Sequence, residues 1–182
     1  MRTLIAFIMI LIASSIVIAD EMVIGIDQAA LLTPNQDDLE TVNSRIAVQF
    51  TIPDSLADKH IVYGELVLNL DFSGITYNAG TAMELQAQNI TSGWTEGDAD
   101  WDNLAEDIDS LSFYTYTFTM SSDANVFMDI TTFIQSLVNT DGSNYGLMLV
   151  PLLSDQQVFH PDEDLIAQIK GNGSIKITYD EL

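Results

Sequence analysis

Residues 45–72 read "RIAVQFTIPDSLADKHIVYGELVLNLDF", and two stretches within them alternate apolar and polar side chains. The first places its large apolar side chains on one face: Ile46, Val48, Phe50 and Ile52. The second does the same with Val62, Leu66, Leu68, Leu70 and Phe72. Alternation over this length is typical of a strand that buries one face. The stretch therefore predicts two half-buried strands joined by a turn-rich loop.

Similar stretches follow along the chain. "MELQAQNI" (83–90), "SFYTYTFTM" (112–120) and "SIKITY" (174–179) alternate, whereas "YGLMLVPLL" (145–153) is apolar on both faces and predicts a central strand. The connections are rich in Gly, Asn, Asp and Pro, which favour turns. Many short strands with turn signals at this rhythm predict an all-β fold, a jelly-roll-type antiparallel β-sandwich.

One segment breaks the alternation. "DITTFIQSLVN" (129–139) places Ile130, Phe133, Ile134 and Leu137 at helical spacing. Asp129, Thr131 or Thr132 can cap its start, because their oxygens accept hydrogen bonds from free backbone N–H groups. The fold prediction is thus a sandwich with one short helix, formed by residues 20–182 as a single domain.

The first residues, "MRTLIAFIMILIASSIVIAD", predict a secretory signal peptide over residues 1–19. A basic Arg2 precedes an apolar run, and small or branched residues precede Asp20. An uncleaved membrane anchor is the alternative, but the apolar run is short for a bilayer span. We expect cleavage after Ala19, no membrane span in the mature chain, and a secreted, extracellular or cell-surface location.

The charge of the chain is strongly negative. All 27 acidic residues lie beyond residue 19, against four cations, Arg45, Lys59, Lys170 and Lys176, which gives the mature chain a net charge of −23. Such a surface repels nucleic acid and anionic membranes and attracts divalent cations. The chain has no Cys, so its core must hold the fold without disulfides.

Four stretches follow one another along the chain: the strand pair beginning at Arg45, "WTEGDADWDN" (94–103), "VFMDITTFIQSLVNTDGSNYGLMLV" (126–150) and "GSIKITY" (173–179). Their order is that found in secreted DNRLRE domains, which are grouped with a family of carbohydrate-binding modules. The chain resembles this family over nearly all of its mature length. The resemblance implies a jelly-roll sandwich with a non-catalytic role, commonly polysaccharide binding or service as a module of surface proteins.

The acidic loop "GWTEGDADWDNLAEDID" (93–109) contains candidate calcium ligands. Asp98, Asp100, Asp102 and Asp109 match positions 1, 3, 5 and 12 of an EF-hand loop, in which carboxylates surround Ca²⁺. Position 6 is Asn103 rather than Gly, and no helices are predicted on either side. A looser calcium site and a solvated acidic turn are both compatible with this pattern.

Aromatic residues supply candidate carbohydrate contacts. Trp94 and Trp101 are the only tryptophans, and Tyr114 and Tyr116 share one face of a predicted strand. An aromatic ring offers a sugar both apolar area and a polarised face. Trp94 and Trp101 could instead close the sandwich, and the tyrosines could pack in its core beside Phe118.

Catalytic patterns are scarce in the sequence. The two histidines, His60 and His160, have no ligand-spaced partner, and no nucleophile motif or phosphate loop is present. Arg45 can form a fork to a carboxylate and predicts a structural ion pair. We therefore expect a binding protein and not an enzyme, although two loop acids acting as a hydrolase or lyase pair are a further alternative.

Two partner classes follow from these patterns. The first hypothesis is polysaccharide binding, possible for acidic polymers only if Ca²⁺ bridges the two negative surfaces. The second is self-association through edge strands in a filament, surface layer or biofilm matrix, since an edge strand can accept a strand from a neighbour. Residues 20–26 form an apolar segment that could be donated.

Overall fold

The structure is a computed structural model that describes residues 19–73, 75, 77–78, 80–121, 123–139, 143–155 and 157–181. Within them the chain forms nine strands: β1 Asp20–Gly25, β2 Gln28–Leu32, β3 Arg45–Gln49, β4 Lys59–Asp71, β5 Ala82–Ile90, β6 Ile108–Thr119, β7 Asp123–Asp129, β8 Leu147–Leu153 and β9 Ser174–Glu181. The helical segments are a 3₁₀ turn at Asp54–Leu56 and three α-helices, α1 Trp101–Leu104, α2 Thr131–Asn139 and α3 Glu163–Asn172.

The strands form two antiparallel sheets that pack as a sandwich. Sheet A has the order β1-β9-β4-β7, and sheet B has the order β2-β3-β8-β5-β6. Along the chain only β2 and β3, and β5 and β6, are sequential neighbours within a sheet; the other connections cross between the sheets. These crossing connections, together with the strand order of the two sheets, are those of a jelly roll, so the predicted antiparallel β-sandwich is confirmed.

The main core lies between the sheets. In β4 the side chains of Leu66, Leu68 and Leu70 are buried, and Ile175 and Ile177 of the neighbouring β9 face the same space. These positions alternate with more exposed residues, as the sequence predicts for strands that bury one face. Strand β8 lies between β3 and β5 and is apolar on both faces, in agreement with its predicted central position.

A β-bulge in β4 changes one predicted orientation. Ile61 pairs with Tyr179 of β9, whereas Tyr63 pairs with Thr178, so Val62 has no partner of its own. An extra residue shifts the alternation by one position. As a result Ile61 is buried at 3% exposure, while Val62 is 46% exposed. The prediction that Val62 points into the core was wrong.

Two helices bridge the sheets. The predicted α2 places Phe133 and Ile134 in the main core, and Asp129 Oδ1 accepts a hydrogen bond from the Thr131 backbone N at 2.9 Å. A second helix, α3, was not predicted. Its start is capped by Asp162, whose carboxylate accepts from Leu165 N, and its apolar side chains Leu165, Ile166 and Ile169 are buried. The expected single helix is therefore one of several short helices.

The signal-peptide prediction concerns residues 1–19, of which 1–18 lie outside the described residues. In the part of the chain that is described, no helix has the length and apolar character needed to cross a bilayer.

Candidate functional site

The tryptophan loop, residues 93–109, folds over the outer side of sheet B. Trp94 is half-buried, and its indole N–H donates to the Tyr145 carbonyl at 2.7 Å. Trp94 and half-buried Trp101 pack against a small cluster of buried residues on this side of the sheet: Leu32, Ala47, Ile90, Leu104, Ala105 and Met148. We call this set the outer cluster. The structure therefore brings both predicted tryptophans together, as a cover over apolar side chains.

Arg45 contacts the second half of this loop through Trp101, Ala105 and Glu106. Its guanidinium lies 5.0 Å from the centre of the Trp101 ring, its Nη1 donates to the Ala105 carbonyl, and its Nη2 lies 3.4 Å from Glu106 Oε1. A guanidinium over an indole face gains from cation–π attraction. The predicted structural ion pair of Arg45 is confirmed, and its carboxylate partner is Glu106.

Glu96, near the start of the loop, accepts hydrogen bonds from two elements distant in sequence, β2 and α3. Its Oε1 accepts from Ala29 N of β2 at 3.0 Å and from Lys170 Nζ of α3 at 2.5 Å. The Lys170 hydrogen bond, followed by that from Ala29, holds the pKa of Glu96 below its ordinary value. Both bonds favour the ionised form. Glu96 is thus a structural contact that joins the loop to the rest of the fold.

Each of the four candidate calcium ligands has its own protein partner. Asp100 forms a capping box with Asn103 at the start of α1. The carboxylates of the other three also accept hydrogen bonds: Asp98 from the Thr95 hydroxyl, Asp102 from Asn35 Nδ2 and Asp109 from Leu111 N. In the described part of the chain, no group of three or more acidic or histidine side chains is placed to hold a metal ion. Calcium binding stays a prediction.

The candidate tyrosines lie on the other side of sheet B from the tryptophan loop. Tyr114 and Tyr116 of β6 are half-buried and pack against the main core. The Tyr114 ring lies 6.5 Å from that of Phe133, and the Tyr116 ring lies 6.2 Å from that of Phe118. Burial raises the pKa of Tyr114, with a smaller effect from Asp129. The four candidate aromatics therefore form no common platform.

A set of exposed side chains that the sequence analysis did not single out lies on the outer side of sheet A. Here Val23 is 64% exposed, Phe127 44% and Tyr63 39%. The strand register places them on one surface with charged and polar neighbours and with Val67, which is buried at 6% exposure. We call this set of outward residues the A face: Glu21, Val23, Tyr63, Glu65, Val67, Phe127, Asp129, Lys176 and Thr178.

The A face is ordered in rows across the strands. One row runs from Glu21 through Thr178 to Tyr63. The next runs from Val23 through Lys176 and Glu65 to Asp129. A further row pairs Val67 with Phe127. Side chains directly opposite one another on antiparallel strands lie within contact distance. The rows thus place aromatic, acidic, basic and hydroxyl groups side by side.

A depression of about 300 Å³ lies among the first two rows, lined by Glu21, Met22, Val23, Tyr63, Glu65, Lys176, Ile177 and Thr178. At its wall the Tyr63 hydroxyl donates to Glu65 Oε1 at 2.9 Å. Partial burial, followed by the hydrogen bond to Glu65 and the charges of Glu65 and Asp129, raises the pKa of Tyr63 to about 12. The phenol is therefore neutral and fixed in orientation.

A larger depression, of about 390 Å³, lies between the loop after β3 and the last residues of α2. Among the described residues that line it, Phe50 is the one aromatic side chain and is only 1% exposed, and Asp54 is the one carboxylate. The described part of this lining therefore offers a ligand no exposed aromatic ring. We consider the A face the better candidate site, although its depression is smaller.

The sequence contained a signal for the A face. Phe127 stands between the inward residues Val126 and Met128, so alternation alone predicts that it faces outward. Tyr63 and Glu65 are outward for the same reason once the bulge at Val62 is taken into account. A large apolar residue at an outward position is a candidate for a binding surface.

No protein-family model matches this chain, and no curated protein matches it significantly. The resemblance to DNRLRE domains thus stays a prediction from motifs. The fold and the A face are described from the structure alone.

Proposed function

We propose that this protein is a secreted, non-catalytic carbohydrate-binding β-sandwich that holds a polysaccharide chain against the A face. The observation that carries the proposal is the exposure of two aromatic rings, Tyr63 and Phe127, on one sheet surface beside a polar depression. Soluble proteins usually keep large aromatic rings covered, and an exposed pair rimmed by polar groups is typical of an interaction site.

The spacing of the rings suits an extended polymer. Phe127 lies opposite Val67, four residues along β4 from Tyr63, which is roughly 14 Å at the rise of an antiparallel strand. A chain lying along β4 could therefore contact both rings with different sugar units. Between the rings, Glu65 and Lys176 offer a hydrogen-bond acceptor and a donor to sugar hydroxyl groups.

Affinity electrophoresis against a panel of neutral, acidic and amino-bearing polysaccharides tests the proposal. We expect Phe127→Ala and Tyr63→Ala to reduce retardation, since the exposed 44% of Phe127 is roughly 90 Å² of a typical ring and covering it contributes about 2 kcal/mol, or roughly thirtyfold in affinity. The matched control is Leu111→Ala, because Leu111 is 91% exposed on β6 of the other sheet.

The same gels run with and without Ca²⁺ test the calcium dependence. Retardation that needs Ca²⁺ supports the predicted metal bridge, and an unfolding midpoint raised by Ca²⁺ would support binding to the folded chain. No retardation on any polymer, with or without Ca²⁺, contradicts the proposed function. Retardation that the two aromatic substitutions leave unchanged contradicts the A face as its site.

A second candidate function is self-association as a structural subunit. The observation that favours it is the position of β1 at the edge of sheet A, where it pairs with β9 over six residues and has no fully buried side chain. Such a strand could be exchanged for the same strand of a second copy. Sedimentation of the chain with and without residues 20–25 tests this. A full-length chain that stays monomeric at high concentration and high salt counts against it.

A further inference from the structure

We propose that the sugar bound at the A face carries free amino groups, and that its ammonium lies in the depression between Glu21, Tyr63 and Glu65. This inference rests on the proposed function and narrows it from carbohydrate in general to polymers that contain an unacetylated amino sugar.

The charges around the depression carry the inference. Glu21 and Glu65 line it, and Asp129 is the register partner of Glu65 on the side of β7. One cation, Lys176, lies among these three carboxylates. The local charge is therefore negative, in a mature chain whose net charge has the same sign. A negatively lined cleft attracts a cationic ligand and repels an anionic one.

Tyr63 provides a surface for the cation. Tyr63 is 39% exposed, and its hydroxyl is oriented by a hydrogen bond to Glu65. An ammonium near an aromatic face and a carboxylate gains from both cation–π attraction and charge-assisted hydrogen bonding. The negative charges of Glu65 and Asp129 also help to raise the pKa of the Tyr63 phenol. The same potential that disfavours a phenolate favours a positive ligand group at this place.

Lys176 sets where the ligand ammonium can lie. It forms no salt bridge with any residue that the structure describes, and it stands between Val23 and Glu65 in its row. Its own ammonium repels a second one close by. The row formed by Glu21, Thr178 and Tyr63 is therefore the favoured position, and removal of the Lys176 charge should strengthen binding of a cationic sugar.

Isothermal titration calorimetry with two probes tests the inference: a glucosamine hexamer and the N-acetylglucosamine hexamer of the same length. The mature chain is titrated at mildly acidic pH, which keeps the amines protonated, and at about 0.15 M salt, which screens distant charges. We expect the glucosamine hexamer to bind more tightly. Glu65→Gln should weaken its binding about two- to fivefold, the range measured for partly exposed charge pairs. It should weaken binding of the acetylated hexamer less, because the Gln amide oxygen still accepts a hydrogen bond from a sugar hydroxyl group.

Two further variants separate local recognition from general attraction. Glu40→Gln removes the same charge from an exposed turn before β3, and we expect no effect on either probe. Lys176→Gln should strengthen binding of the glucosamine hexamer, because it removes the repelling ammonium and keeps an amide donor for sugar hydroxyl groups. It should not strengthen binding of the acetylated hexamer, which carries no ammonium. Should Glu65→Gln fail to fold, Glu21→Gln replaces it, since Glu21 is exposed on the edge strand.

Three results would overturn the inference. Equal or tighter binding of the acetylated hexamer shows that the free amino group is not the recognised feature, but it leaves the proposed function intact. An effect of Glu40→Gln as large as that of Glu65→Gln shows attraction by net charge alone. Failure of both hexamers to bind excludes amino sugars as the ligand. The proposed function is then tested separately by affinity electrophoresis with the polysaccharide panel.

Discussion

Replacement of Trp94 distinguishes a structural tryptophan from a ligand-binding one. Trp94→Phe keeps an aromatic ring on the outer cluster but removes the indole N–H that bonds to the Tyr145 carbonyl at 2.7 Å. Leaving that carbonyl without its donor should cost about 1–2 kcal/mol of unfolding free energy. Trp94→Ala also uncovers the outer cluster. A fully buried aromatic ring costs about 3–5 kcal/mol on truncation, and because Trp94 is half-buried we expect about 2–3 kcal/mol.

Urea unfolding followed by circular dichroism measures both variants. The midpoint should fall in the order wild type, Trp94→Phe, Trp94→Ala, with an unchanged slope, and thermal midpoints should fall by about 2–4 °C per kcal/mol for a domain of this size. Polysaccharide retardation measured below the transition should stay as in the wild type. A Trp94→Ala variant with an unchanged midpoint and lost retardation would refute the reasoning, because the ring would then contact the ligand and not the fold.

Further predictions concern the backbone and the acid response of the fold. Gly146 has φ of +87°, and a Cβ placed there would lie 2.0 Å from the Val48 carbonyl oxygen. Gly146→Ala should therefore lower the free energy of unfolding by about 3 kcal/mol or more, or prevent folding. The control is Gly97→Ala: a Cβ at Gly97 meets nothing within 4 Å, and the urea midpoint should stay nearly unchanged. Lys170→Met removes the main cause of the lowered pKa of Glu96 and should cost at most about 1 kcal/mol at pH 7, since both groups are partly exposed. Because the folded pKa of Glu96 is depressed, this stabilisation is present above its ordinary value of 4.5 and is lost as the pH falls through the folded value. Urea midpoints of wild type and Lys170→Met should therefore converge in acid, and a difference that persists well below the folded pKa of Glu96 contradicts the assigned cause.

Much of the sandwich was predictable because alternation follows directly from burial of one sheet face. Ile46 and Val48 of β3 and Ile175 and Ile177 of β9 are buried as expected. Tyr179, the last residue on the inward face of β9, is half-buried. Strand β7 was missed although Ala124, Val126 and Met128 alternate in the same way. The helix α3 was also missed, although Asp162 and the spacing of Leu165, Ile166 and Ile169 are typical start and core signals.

Other features depended on contacts between distant parts of the chain. The bulge at Val62 is fixed by the pairing of β4 with β9, which no local pattern reveals. Alternation in β3 places Ala47 on the outer side of sheet B, where it is nevertheless fully buried because the tryptophan loop covers it. The candidate site also depends on such contacts. Trp94 and Trp101 stand out in the sequence because tryptophan is rare, whereas the A face is formed by common residues that the pairing of four strands brings together.

The antiparallel pairing of β1 with β9 brings the start of the first strand and the end of the last strand to one corner of sheet A. Asp20 lies opposite Tyr179, and Lys59 lies opposite Glu181. Any segment joined before β1 or after β9 would thus leave the domain from the same corner, as is common where the two ends of a domain lie close together. The row of Glu21, Thr178 and Tyr63 is next to that corner. Affinity tags or surface tethers placed at either end would crowd the depression, and a tag inserted in the loop between β2 and β3 would leave it open.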